Sequence, residues 1–195
     1  MWRLSIALML AAVLTGCGPV SEMFGSTSYT GRAKDDYGYG TASELQPLLA
    51  RRDAEEVLAE RDRMIGDIIA ELARVMPGSQ WFPNRNETSV ICGDYGSTKG
   101  SRYFGRNWVA KMPIPADQWQ RISQAVIDVA AKYGYTKVES RSQNPVGDQA
   151  TDMIITDSED GRLAFGAQVA TVLQVTTGCY LTAEDKRQAR EAAPK

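Results

Sequence analysis

The chain has 195 residues, 22 Lys+Arg against 24 Asp+Glu, a formal net charge of -2 and no histidine. That length suits one domain and is short for two, and the near-even charge, with no basic block, gives no long-range field to draw nucleic acid or an anionic bilayer. The missing histidine excludes Ser-His-Asp and Cys-His catalysis and any imidazole metal site.

Arg3 gives a short positive start, and Leu4 to Leu14 is an apolar run of eleven residues, a signal-peptide length well below the roughly 20 residues that span a bilayer. Leu14-Thr15-Gly16-Cys17 follows at once and resembles the bacterial lipobox. The resemblance implies cleavage before Cys17, a diacylglycerol group on its sulfur and an acyl chain such as palmitate on the new amino terminus. Each buried methylene contributes about 0.8 kcal/mol, so two or three chains on one residue hold a protein stably on a membrane. An ordinary secretory signal with a chance cysteine is the bland alternative. Residues 1–16 are thus expected to be a cleaved lipoprotein signal peptide, with the remainder on the exported face of a cell membrane. Gly18 stands where an inner-membrane retention signal would place Asp.

Residues 17–42 carry the lipidated end and a Gly-, Ser- and Tyr-rich stretch without apolar period, the composition of a flexible tether. Its tyrosines, Tyr29, Tyr37 and Tyr39, read either as solvated linker residues or as an adhesive aromatic patch. Ser43 and Gln46 have the spacing of a capping box, with Pro47 tolerable in the first turn. Beyond them Leu45, Leu48, Leu49, Val57, Leu58, Arg61, Ile65, Ile68, Ile69, Leu72 and Met76 recur at threes and fours, which predicts one long amphipathic helix, continuous to Met76 and stopped by Pro77-Gly78.

Short strands are predicted over Gln80 to Phe82, Thr88 to Cys92 and Arg102 to Ala110, with a loop from Gly93 to Gly100. Pro115 opens a second, medium amphipathic helix whose stripe is Trp119, Ile122, Val126, Val129, Ala130 and Tyr133, ending at Gly134. Three more strand candidates follow: Lys137 to Arg141, Asp152 to Thr156, and Leu163 to Thr176, the last being two strands or one bent one. Asp157 to Gly161 is the turn between the second and third, with Gly161 free to take positive φ. Two helices and runs of strands joined by tight turns predict a two-layer α+β domain with an antiparallel sheet over residues 43–182. Residues 183–195 are charged, helix-prone and without an apolar face, and are expected to be a frayed tail.

Setting Cys17 aside leaves Cys92 and Cys179, a matched pair that an oxidising compartment is expected to bridge. The loop between them spans 87 residues, for which chain entropy gives roughly 4 to 5 kcal/mol. A two-thiol metal site would need carboxylates to complete it, and no C-x-x-C is present. With the thiols bridged, serine with lysine or two carboxylates are the surviving catalytic options, and no S-x-x-K, G-x-S-x-G, Walker or G-x-G-x-x-G motif supports either. The acidic turn Asp157, Glu159 and Asp160 reads as a solvated hairpin tip before a calcium site, since the EF-hand spacing is missing. Trp81, Trp108 and Trp119 are either core residues or the lining of an aromatic ligand cleft, for which Trp108 and Trp119 are the candidates.

Taken together, the Leu14 to Cys17 lipobox, the long helix ending before Pro77-Gly78 and Trp81, Cys92-Gly93, Asn107-Trp108-Val109, Pro115 to Trp119, Lys132-Tyr133-Gly134 and Thr177 to Thr182 resemble the LppA-type lipoproteins of mycobacteria. The resemblance implies a cell-envelope lipoprotein facing the cell wall, with paired cysteines at Cys92 and Cys179, and carries over no catalytic residue. The leading expectation is a non-enzymatic protein without cofactor or metal that binds or scaffolds another envelope component. A carrier for a lipid or other apolar molecule is the alternative, and a hydrolase comes last.

Overall fold

The computed structural model describes residues 40–96, 98–147 and 149–192. Residues 1–39, which hold the expected signal peptide, Cys17 and the tyrosines of the expected tether, lie outside the described residues, while Thr41 and Ala42, also counted as tether, begin the first helix. The first described helix is α1 (Ala42–Ala50), capped by Thr41: Glu44 N–H donates to Thr41 Oγ1, and Thr41 N–H donates to Glu44 Oε2 at 2.7 Å. The capping box therefore sits two residues earlier than Ser43 and Gln46, and Pro47 falls in the second turn.

The predicted continuous helix is broken. Arg51 leaves α1 with extended backbone (φ -72, ψ 166), and α2 (Ala54–Val75) starts afresh after Asp53. Long-range bonds make the break. Ala54 N–H donates to the carbonyl of Leu181 at 2.9 Å, and the Arg51 guanidinium donates to the carbonyls of Cys179 (2.9 Å) and Glu159 (3.2 Å). The end of α2 is as predicted, with Met76 N–H closing on Leu72 O and Gly78 at φ +87.

The sheet is antiparallel throughout, with strands β1 (Trp81–Pro83), β2 (Thr88–Ile91), β3 (Ser101–Phe104), β4 (Trp108–Ala110), β5 (Lys137–Arg141), β6 (Thr151–Thr156), β7 (Arg162–Ala167) and β8 (Thr171–Tyr180). Its order is β1-β4-β8-β7-β6-β5, and β3 also pairs with β8 and carries β2 outside it. The ten-residue β8 is the spine: β7 lies along one edge, while β4 and β3 share the other, facing Thr171 to Leu173 and Thr176 to Tyr180 respectively. The stretch predicted as one strand, Arg102 to Ala110, is thus two strands on one edge, interrupted at Gly105. There the chain passes so close to β8 that Gly105 N–H bonds Val175 O at 2.9 Å and an added Cβ would lie 2.7 Å from the same oxygen.

Helix α2 and α3 (Trp119–Ala131) cover one face of this sheet. Met64, Ile65, Ile68 and Leu72 meet Ile122, Val126 and Ala130, and both rows meet Met153, Ile155, Leu163, Phe165, Leu173 and Val175. The alternation of buried residues along β6, β7 and β8 follows from the period-2 pleat, and the two-layer α+β prediction holds. Among the described residues no helix is long and apolar enough to cross a membrane.

A smaller cluster closes the other end. Cys92 and Cys179 are disulfide-bonded with Cα atoms 6.1 Å apart, and Leu45, Leu48, Leu181 and Ala189 pack around them. Ala189 belongs to α4 (Ala183–Ala192), which replaces the expected frayed tail. Its docking is mostly polar. The ammonium of Lys186, 5% exposed, pairs with Asp53 at 2.7 Å and donates to the Arg51 carbonyl, while Thr182 caps the helix by accepting from Asp185 N–H at 3.0 Å.

Candidate functional site

Trp119 is fully buried, stacked on Phe165 with centroids 5.7 Å apart, and its indole N–H donates to Ser142 O at 2.7 Å. Of the two tryptophans predicted as a possible ligand cleft, Trp119 therefore sits inside the packed layer between helices and sheet and borders no open space. Trp108 is different. By register with Leu173 it is on the core face, yet β4 lies near the sheet edge, so one side of the indole stays open.

That side borders a depression of ≈ 580 Å³ lined by Leu58, Arg61, Asp62, Ile65, Glu87, Arg106 and Trp108. Helix α2 supplies one wall, the β1–β2 loop Glu87, and the link between β3 and β4 supplies Arg106. Arg61 occupies a position on the apolar stripe of α2, and its residue is only 6% exposed. Its stem runs along the core beside Ile65, in the way long cationic side chains cover apolar surface. The head is covered as well: Nε and Nη2 donate to Asp62 Oδ1 at 2.9 and 2.7 Å, and Nη2 reaches Glu87 Oε2 at 2.5 Å. Nη1 is buried without a hydrogen-bond partner among the described residues, beside the space that Gly105 leaves open. Arg106, at the rim, is exposed and has no ion-pair or hydrogen-bond partner among the described residues.

Behind Arg61, on the far side from Trp108, lies Tyr135, buried among Val57, Met64 and Tyr133. Burial, and then the Asp157 carboxylate, push its phenol above the ordinary tyrosine value. Tyr180 is raised likewise, first by burial and then by donating to Glu159 Oε2 at 2.7 Å.

The acidic turn also departs from expectation. Asp157 Oδ1 accepts from Glu159 N–H (2.8 Å) and Gly161 N–H (2.7 Å), Glu159 binds Tyr180, and Asp160 reaches Arg51 at 3.5 Å. The hairpin tip is therefore docked on Arg51, which itself lies over the rings of Tyr95 and Tyr180. The positive φ falls on Asp160 (67°), not on Gly161. Among the described residues no group of three or more Cys, Asp or Glu side chains could hold a metal ion.

Sequence reasoning missed Arg61, Glu87 and Arg106 as a set. One signal was present: Arg61 falls in the apolar series Val57, Arg61, Ile65, Ile68, where a guanidinium must be desolvated.

A two-layer antiparallel α+β domain, clamped by a disulfide and carrying a half-enclosed groove lined by two arginines and two carboxylates, is the class that fold and site define. The chain belongs to the LppA family, described as a lipoprotein confined to pathogenic Mycobacterium, whose model matches residues 31–183. Membership in a lipoprotein family points to a membrane-anchored place in the envelope. The crystal structure of LppA from Mycobacterium tuberculosis superposes with a TM-score of 0.59 at 16% identity, over 78% of this chain and 95% of that one. A DUF4853-family protein from Actinomyces odontolyticus gives 0.55 at 18% identity, over 70% of this chain and 73% of that one. At such identities the likeness is one of fold. No curated protein matches the chain.

Proposed function

We propose that this chain is an exported lipoprotein, held on the outer face of a cell membrane through lipid on Cys17, that binds another envelope component without catalysing a reaction. The groove at Arg61 is its recognition surface. The observation that carries this reading is the Arg61 guanidinium, buried in the wall of a half-enclosed space beside Trp108 and Arg106, its Nη1 without a hydrogen-bond partner and Arg106 without an ion pair among the described residues. Folding alone does not favour such a group, because a buried donor without an acceptor costs about 1–3 kcal/mol. The lipobox at Leu14 to Cys17 supports the anchor, and the complete lack of histidine supports a non-catalytic role.

A photo-cross-linking amino acid placed at position 108 in living cells, with a control at the exposed hairpin residue Val169, tests the groove. Adducts formed at 108 and absent at 169 support the reading; identical patterns at both positions reject it. Metabolic acyl labelling that disappears in Cys17→Ser, together with release of the protein from membranes, tests the anchor.

A further inference from the structure

Resting on the groove reading above, we infer that the occupant is a small amphiphile bearing a single carboxylate, of the fatty-acid type, with its headgroup on Arg61 and Arg106 and its chain against Leu58, Ile65 and Trp108. A carboxylate already sits there: Glu87 Oε2 lies 2.5 Å from Arg61 Nη2. Glu87 comes from the β1–β2 loop and its side chain is 36% exposed, so its carboxylate can turn out to water, whereas the Arg61 side chain, 5% exposed, then needs another anion in its place. Asp62, 66% exposed, shares the same edge of the guanidinium, with Oδ1 on Nε and Nη2, so Glu87 is the second carboxylate on Nη2 and its departure leaves Asp62 in place. Glu87 therefore acts as an intramolecular stand-in, a plug that an incoming carboxylate displaces.

Charge selects the headgroup. Arg61 and Arg106 balance Asp62 and Glu87, so the closed groove is neutral, and it gains one net positive charge when Glu87 swings out. That suits one negative charge and leaves a dianionic phosphate under-compensated. Size selects the rest. A half-enclosed space of ≈ 580 Å³ lies in the range of small-ligand sites, whereas a protein partner needs a broad face. The apolar side chains Leu58, Ile65 and Trp108 would take a short aliphatic chain, which excludes a free inorganic anion.

The test uses the full lipoprotein in phosphatidylcholine nanodiscs, dialysed to equilibrium against radiolabelled decanoate, with empty nanodiscs as the background. One saturable site per protein is expected, competed by unlabelled decanoate about tenfold better than by decanol. Arg106→Gln should weaken it by roughly tenfold, and Glu87→Gln should tighten it by a similar factor because the competing carboxylate is gone. Absence of saturable binding, equal competition by decanol, preference for decyl phosphate, or weaker binding by Glu87→Gln would each overturn the proposal. If position 108 still cross-links an envelope component while decanoate fails to bind, the ligand class is wrong and the groove reading stands; if both fail, neither stands.

Discussion

Replacing Arg61 by methionine separates a groove kept for binding from a residue kept for folding. The arginine residue is 6% exposed, and its buried Nη1 lacks an acceptor among the described residues, which costs the folded state about 1–3 kcal/mol. Against that stand its ion pairs, but the partner side chains Asp62 and Glu87 are 66% and 36% exposed and return to water when the guanidinium goes, and replacing a buried charge by a well-packed apolar residue is often neutral or stabilising. Methionine follows the same buried path beside Ile65 and fills irregular space without a polar atom to satisfy. The balance favours the variant by about 1 kcal/mol, a rise of about 2–4 °C in Tm for a protein of this size. Urea unfolding followed by circular dichroism measures it, and an unchanged slope would show that the denatured state is not the source. A loss greater than about 2 kcal/mol would refute the reasoning, since Arg61 would then be holding the fold together and its unpartnered donor would say nothing about a ligand.

The remaining expectations concern the frame around the groove. Converting both Cys92 and Cys179 to alanine should cost about 4–5 kcal/mol for a closed loop of 87 residues, measured by the same unfolding curves, and a cost under about 1 kcal/mol would mean that the packed cluster of Leu45, Leu48 and Leu181 suffices without the bond. Tyr135 and Tyr180 both have folded-state values raised above the ordinary 10.0 by burial. The unfolded chain therefore loses these protons first. Stability should be flat below about pH 10 and fall above it by up to about 1.4 kcal/mol per pH unit per tyrosine, with tyrosinate absorbance appearing only together with unfolding. Gly105→Ala would place a methyl 2.7 Å from Val175 O and should destabilise by about 1–3 kcal/mol; wild-type stability in that variant would show that the β3–β4 link can move away from β8.

Legibility followed the range of the forces involved. The two principal helices, the alternating strands and the cysteine pair are written in local period and composition, and the structure has them. What failed depends on partners far along the chain. Nothing near Arg51 announces that its guanidinium will be taken by carbonyls at Glu159 and Cys179, so the apolar period of α1 and α2 reads as continuous across the break. The C-terminal helix has no apolar stripe because its docking rests on Lys186, Asp53 and the Thr182 cap, a polar solution invisible to hydropathy. The groove was half legible. Arg61 stood out of its stripe in the sequence, whereas Glu87 and Arg106 join it only because β1–β2 and β3–β4 bring their loops to one end of α2.

The position of β8 in the chain sets when any of this can form. It is the last strand made, yet it supplies Leu173 and Val175 to the main core, both edges' worth of backbone partners to β7, β4 and β3, and Cys179 to the disulfide. A ribosome delivers α2 early, with Ile65, Ile68 and Leu72 uncovered, and the chain must run on from Val75 through β8 before the surface that buries them is complete. The nascent protein is therefore sticky for most of its synthesis, and a truncation anywhere before Tyr180 should yield an aggregating fragment rather than a smaller folded one.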